Sequence, residues 1–311
     1  MEPGLLKSAD WPLLIDVYFF LGGLAGGAFV IATIAHLFDG RRYQDIVRVG
    51  YYVAFLAILP CPLLLIIDLG APTRFLHMLM ISKPSTAIGM STVLAGPFHL
   101  KLLSPMNAGA WALLAFSLCA FLCALDVFLT DRGGRGITGL RKVAGVIGGV
   151  FGFFIAAYPG VLLSATARPL FVNAHWLGAL FLAVGAATGG AAIALILVLF
   201  RGSGARDGLA RVMRVTSVAL VVELLALILL VVSIRAAGSA RISAALGQLL
   251  AGPYSIAFWL GAVIIGVVAP LVLQRGAVRR GEPAMTALVS VFVLVGGFLV
   301  KYVLISVGQA S

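Results

Sequence analysis

The sequence predicts an all-α integral membrane protein of eight transmembrane helices, arranged as two four-helix bundles with both termini outside. Three observations carry this prediction. Hydrophobic residues fill 62% of the 311 positions and charged residues only 11%, whereas soluble domains carry roughly 25% charge. No water-facing surface can be built from that inventory. Eight apolar runs reach the length of about 20 residues that a helix needs to cross the hydrocarbon core. Finally, the Lys and Arg residues behind the net charge of +11 are unevenly divided between alternate loops. That pattern reads the charge as membrane anchoring, not as a nucleic-acid surface.

The runs cover residues 13–37, 49–68, 109–130, 143–164, 175–200, 212–234, 253–274 and 284–306. Before helix one, Glu2, Lys7 and Asp10 give no positive bias, and no small-residue cleavage site stands out. The first run is therefore read as an uncleaved span. It holds Gly22-Gly23 and Gly26-Gly27, overlapping small-x-x-x-small pairs. No strand–helix unit surrounds them, which excludes a dinucleotide loop and leaves close helix packing. Helix two carries Pro60 and Pro62, helix four Pro159 and helix seven Pro270, each expected to kink its helix and free backbone groups.

The connection from 69 to 108 is long. Its stretch Thr86–Leu103 is fairly apolar but broken by Gly89, Gly96 and Pro97. It reads as an interfacial or re-entrant piece, with a ninth span as the alternative. Helix three ends at the turn Asp131-Arg132-Gly133-Gly134-Arg135, with Asp126 just inside it as an interfacial anchor. Helix five repeats helix one loosely in Phe181-Leu182…Gly185…Gly189-Gly190-Ala191. This suggests parallel halves, residues 1–164 (including the loop 69–108) and 165–311. The loops after helices one, three, five and seven are the shorter ones and hold 14 of the 22 Lys and Arg residues. The positive-inside rule makes those loops cytoplasmic and puts both termini outside.

Ionisable groups in a bilayer cost about 2.5–3.5 kcal/mol or more at its centre, so their positions point to function. Asp16, Tyr18, Asp68, Arg74, His77, Tyr158 and Lys301 all fall toward the outer side, on several different helices. Each has an ordinary reading. Asp68 can end a helix and pair with Arg74, Lys301 can snorkel, and the tyrosines can be interfacial aromatics. Glu223 is deep, at mid-membrane in helix six, and needs a partner or a proton. Cys61, Cys119 and Cys123 lie in apolar runs without a C-x-x-C spacing, so neither an iron–sulfur nor a zinc site is supported. His36 is at the inner end while His77, His99 and His175 are outer, which leaves no stacked pair of haem sites.

Several motifs resemble one family. Asp68-Leu69-Gly70-Ala71-Pro72-Thr73-Arg74-Phe75 is similar to the D-L-G-x-P-x-R-F signature of the NrfD-type membrane subunits of polysulfide reductase and its relatives. Trp11…Tyr18-Phe19-Phe20-Leu21-Gly22-Gly23, Ser104-Pro105-Met106…Gly109…Trp111, Tyr158-Pro159-Gly160-Val161-Leu162-Leu163-Ser164 and Gly296-Gly297-Phe298…Lys301-Tyr302 resemble further elements of it. This sequence departs from the family in four places. Tyr18 stands where some members have His, Pro159 where Thr is usual and Lys301 where Arg is usual, and the loop between Arg74 and Ser104 is long.

The resemblance implies a multi-pass subunit of the bacterial cytoplasmic membrane, without haem or iron–sulfur cluster, that reacts with menaquinone or ubiquinone. It also implies partners on the outer face, a four-cluster ferredoxin-like iron–sulfur subunit and a molybdopterin or multihaem catalytic subunit. On that reading Tyr18, Tyr158, Asp68 and His77 bind quinone, and Arg74 and Lys301 stabilise negative charge. Glu223 with Asp16 would form a proton path, through which electron transfer could be coupled to proton translocation. The alternative is a secondary transporter in which Asp16 and Glu223 are coupling sites.

Overall fold

The computed structural model describes residues 11–40, 42–80, 92–95, 98–101, 104–134, 136–166, 168–201, 206–238, 240–280 and 282–309. Among them, eight helices are long and apolar enough to cross a membrane, and the protein is a multi-pass helical membrane protein. Helix one is α1, Leu13–Asp39. Helix two is divided into α2, Gln44–Ile58, and α3, Cys61–Asp68. Helices three to six are α4, Pro105–Asp131, α5, Thr138–Ser164, α7, Leu177–Arg201, and α8, Arg206–Ala236. Helix seven joins a π-helix, Ala257–Val268, to α10, Ala269–Arg280, and helix eight is α11, Pro283–Gln309. Most run several residues past the apolar runs, because a helix continues into the headgroup layer after its hydrophobic stretch has ended.

The prolines act unequally. Pro60 breaks helix two at Leu59-Pro60, whereas α5 continues through Pro159. Pro270 is the second residue of α10, directly after the π-helix. Two short helices, α6 (Pro169–Val172) and α9 (Ala240–Leu250), were not anticipated. At 11 residues α9 is too short to span. It buries Ile242, Ala245, Leu246 and Leu249, the i, i+3, i+4, i+7 stripe of a helix lying on a surface.

In the stretch Thr86–Leu103 the described portions form an antiparallel ribbon, β1 (Thr92–Ala95) with β2 (Phe98–Lys101), which overturns the alternative of a ninth span there. Gly96-Pro97 between them is a turn-type dipeptide that cannot continue a helix. Residues 86–91, 96–97 and 102–103 lie outside the described residues. The ribbon joins the 3-10 turn Pro72–Met78 through the bond from His99 N–H to the Leu79 carbonyl (3.0 Å) and the Met80–Phe98 bridge.

Two helices occupy the centre. α1 and α7 are the most buried spans, and they pack extensively on each other. Their glycines make this possible. A Cβ on Gly27 would collide with the Gly185 carbonyl, and one on Gly189 with the backbone of Gly27 and Ala28. Gly26 stands in the same relation to Gly152 of α5. The stretches that looked like a faint repeat thus meet face to face.

The ends of α1 and α11 are clasped. Trp11 N–H donates to Gln309 Oε1 at 2.7 Å, and Gln309 Nε2 donates to the Trp11 carbonyl at 3.0 Å. Arg168, before α6, donates to the Gln309 carbonyl. We call this end of the molecule the clasp face. At the opposite face, Arg48 pairs with Asp131 (2.7 Å), and Arg141 with Asp126 (3.1 Å). Asp126 also accepts the Ile137 N–H. It is therefore a buried clamp on the α4–α5 turn, where an interfacial anchor was expected.

Candidate functional site

The site lies toward the clasp face, where α1, α3, α5 and α11 converge. Tyr18 is one and a half turns into α1 and only 3% exposed; Tyr158, on α5, is 6% exposed. The two phenols are near enough to interact electrostatically, and neither hydroxyl has a hydrogen-bond partner among the described residues. Two neighbouring phenols without a partner among the described residues can donate hydrogen bonds to a ligand that carries oxygen acceptors.

Tyr158 is held from two sides. Its ring stacks on Phe154 (centroids 5.6 Å apart, planes at 25°), and Phe154 is itself 40% exposed on the outside of the bundle. The other side rests on α4, where a Cβ on Gly109 would come within 2.5 Å of the Tyr158 hydroxyl. Only glycine leaves room for the ring there. Cys61, at the start of α3, is fully buried below Tyr18, with Sγ 3.5 Å from the Ala57 carbonyl and 4.0 Å from that of Tyr18.

Lys301 does not snorkel. It is fully buried, and Nζ donates to the Phe19 carbonyl at 2.6 Å, one residue from Tyr18. Nζ also lies 5.1 Å from the Phe181 ring centre, a cation–π contact. A Cβ on Gly23 would lie 2.5 Å from Nζ, so Gly23 makes the space that the ammonium occupies. Glu223, buried on α8, acts electrostatically on Lys301, although the two form no direct ion pair. Asp16, one turn into α1, is buried with Oδ1 unpartnered. A carboxylate there gains from the positive end of the helix.

The structure brings Tyr18 and Tyr158 near each other, binds Lys301 to the carbonyl of Phe19 next to Tyr18, and sets Glu223 within electrostatic reach of Lys301. It leaves Asp68, Arg74 and His77 exposed on and after the end of α3. Asp68 and Arg74 are not ion-paired. The 3-10 turn that carries Arg74 and His77 instead displays them beside exposed Phe75 and Leu76. Sequence reasoning missed Cys61, Phe154, Asn107 and the role of Gly109. Gly109 falls within a family motif, but its meaning depends on which side chain faces it. Among the described residues no group of three or more His, Cys, Asp or Glu is placed to hold a metal.

With this geometry in view, comparison with known proteins gives a consistent answer. The polysulphide reductase, NrfD family model matches residues 2–311. The C component of polysulfide reductase from Wolinella succinogenes is 28% identical over 316 residues, covering 96% of the present sequence and 93% of that protein. The protein NrfD homolog of Haemophilus influenzae is 25% identical over 317 residues, covering 97% and 95%. The C component of selenate reductase from Mesobacillus selenatarsenatis is 30% identical over 84 residues, covering 27% and 20%. Because the family match runs through every membrane span and through all the residues of the site, the chain belongs to the polysulphide reductase NrfD family.

Proposed function

We propose that the protein is the membrane subunit of a reductase-type complex and exchanges electrons between a membrane quinone and an iron–sulfur partner. The observation that carries this is the pair of neighbouring phenols, Tyr18 and Tyr158, which make no hydrogen bond among the described residues, with the buried Lys301 ammonium bound to the carbonyl of the next residue, Phe19. Quinol oxidation releases two electrons and two protons, and quinone reduction consumes them. The phenols offer hydrogen bonds to ring oxygens, and Lys301 offers positive charge where negative charge develops. Phe154, exposed beside Tyr158, supplies an apolar wall on the lipid side for a quinone ring or its isoprenoid tail. Menaquinone and ubiquinone both meet this description.

Support for the partners comes from the relatives, whose names describe one component of polysulfide and selenate reductases. The surface around Arg74, Phe75, Leu76 and His77 is offered to the iron–sulfur subunit, with a molybdopterin or multihaem catalytic subunit beyond it. The positive-inside count assigns the clasp face to the outside of a bacterial cytoplasmic membrane, and both chain ends with it. Two four-helix halves remain our description of the bundle. Glu223, deep on α8 and acting on Lys301, leads protons toward the site from within the membrane, and Asp16 is their exit toward the clasp face. Family membership favours this reading over a transporter.

The test is binding of the quinol analogue 2-heptyl-4-hydroxyquinoline N-oxide to the purified full-length protein in detergent. One site is expected, weakened about tenfold by Tyr18→Phe and by Tyr158→Phe, the loss of about one hydrogen bond each. Absence of binding, or unchanged affinity in both variants, overturns the reading.

A further inference from the structure

Asn107 is only 4% exposed, two residues into α4, and it uses both ends of its amide. Nδ2 donates to the Met78 carbonyl at 2.5 Å, the last residue of the 3-10 turn. Oδ1 accepts the Lys101 N–H at 2.7 Å, the last residue of β2. One turn further along α4, Trp111 Nε1 donates to the His99 carbonyl at 2.9 Å. The layer lying on the clasp face, the 3-10 turn and the ribbon, is thus strapped to the first two turns of α4 at three points. Ser104 caps the same turn by accepting the Asn107 N–H. Between Asn107 and Trp111 lies Gly109, whose backbone is the floor beneath the Tyr158 ring.

A helix N-terminus has free N–H groups and frays unless it is held. Here it is held from above by the external layer, and from the side it supports a phenol of the candidate site. We propose that Asn107 is a positioning residue: by strapping the external layer to the start of α4, it fixes the Gly109 backbone and thereby the Tyr158 hydroxyl. The inference rests on the quinone reading above and goes beyond it. Contact of a partner with the exposed turn would be felt at the ligand site through one helical turn, with no shift of the membrane core.

A double-mutant cycle tests this, using the same quinol analogue and full-length protein. Asn107→Ala is expected to weaken binding roughly fivefold when Tyr158 is present, and to change it less than about twofold in a Tyr158→Phe background. Asn107→Asp keeps an acceptor for Lys101 N–H but turns a second oxygen toward the Met78 carbonyl, and should weaken binding at least as much as Asn107→Ala. An equal loss in both backgrounds means that Asn107 serves the loop alone and overturns the proposal, as does no loss at all. If Asn107→Ala is not recovered folded, Asn107→Asp is read in the same cycle with the same two outcomes. Failure of the unaltered protein to bind the analogue is a different result. It overturns the quinone reading, and this inference with it.

Discussion

A buried ammonium is costly, since moving one out of water carries an effective penalty of several kcal/mol even after relaxation. Lys301 meets that cost in three ways: the Phe19 carbonyl at 2.6 Å, the face of Phe181, and the charge of Glu223 reaching it through a medium of low dielectric. Lys301→Met should therefore destabilise the protein by about 2–4 kcal/mol, since it leaves Glu223 buried without a counter-charge. Adding Glu223→Gln should recover at least ~1 kcal/mol of that loss. Thermal unfolding of the four proteins in detergent decides it, and additive effects within about 0.5 kcal/mol would mean that the two residues are independent.

The decisive element contact is the crossing of α1 on α7, where backbone meets backbone. Gly27→Leu forces a side chain into the Gly185 carbonyl and should abolish recovery of a monodisperse protein by size-exclusion chromatography. Gly149→Ala, on α5, meets open space and should be neutral or stabilising by about 0.5–1 kcal/mol. Normal behaviour of Gly27→Leu would remove the crossing as a determinant of the fold. At this scale the sequence was highly legible, because an apolar run of about 20 residues has one main use. Paired glycines in α1 announced close approach, those of α7 were legible only as a faint repeat, and Pro60 announced a kink where the helix is in fact broken. What hydropathy cannot supply is azimuth. It put Lys301 in the outer third of its helix without saying whether the side chain points outward or to Phe19. Likewise Asn107 reads from sequence as an ordinary residue near a helix start, because its partners, Met78 and Lys101, are placed only by the folded layer. The ribbon Thr92–Lys101 escaped because a short apolar stretch with glycine and proline fits several structures, and tertiary contacts select among them.

For the whole molecule, the uneven distribution of Lys and Arg becomes a statement about sidedness. Val172 is exposed at the clasp face and Arg132 at the opposite one, while Cys61, Cys119 and Cys123 are buried. In intact spheroplasts a membrane-impermeant maleimide should label Val172→Cys, and should label Arg132→Cys only after permeabilisation. The reverse pattern would invert the bundle and detach the candidate site from any partner outside. The clasp of Trp11 with Gln309 and the bond of Lys301 to Phe19 have a further consequence, which concerns time. Their partners are separated by 298 and 282 residues. At synthesis rates of about 5–20 residues per second, Phe19 waits many seconds in the membrane before Lys301 is made. In the later part of that interval, once Tyr158 has been made, the nascent polypeptide holds both tyrosines without Lys301. The candidate site is therefore completed only when α11 is made, and a polypeptide stalled before that helix holds it without Lys301.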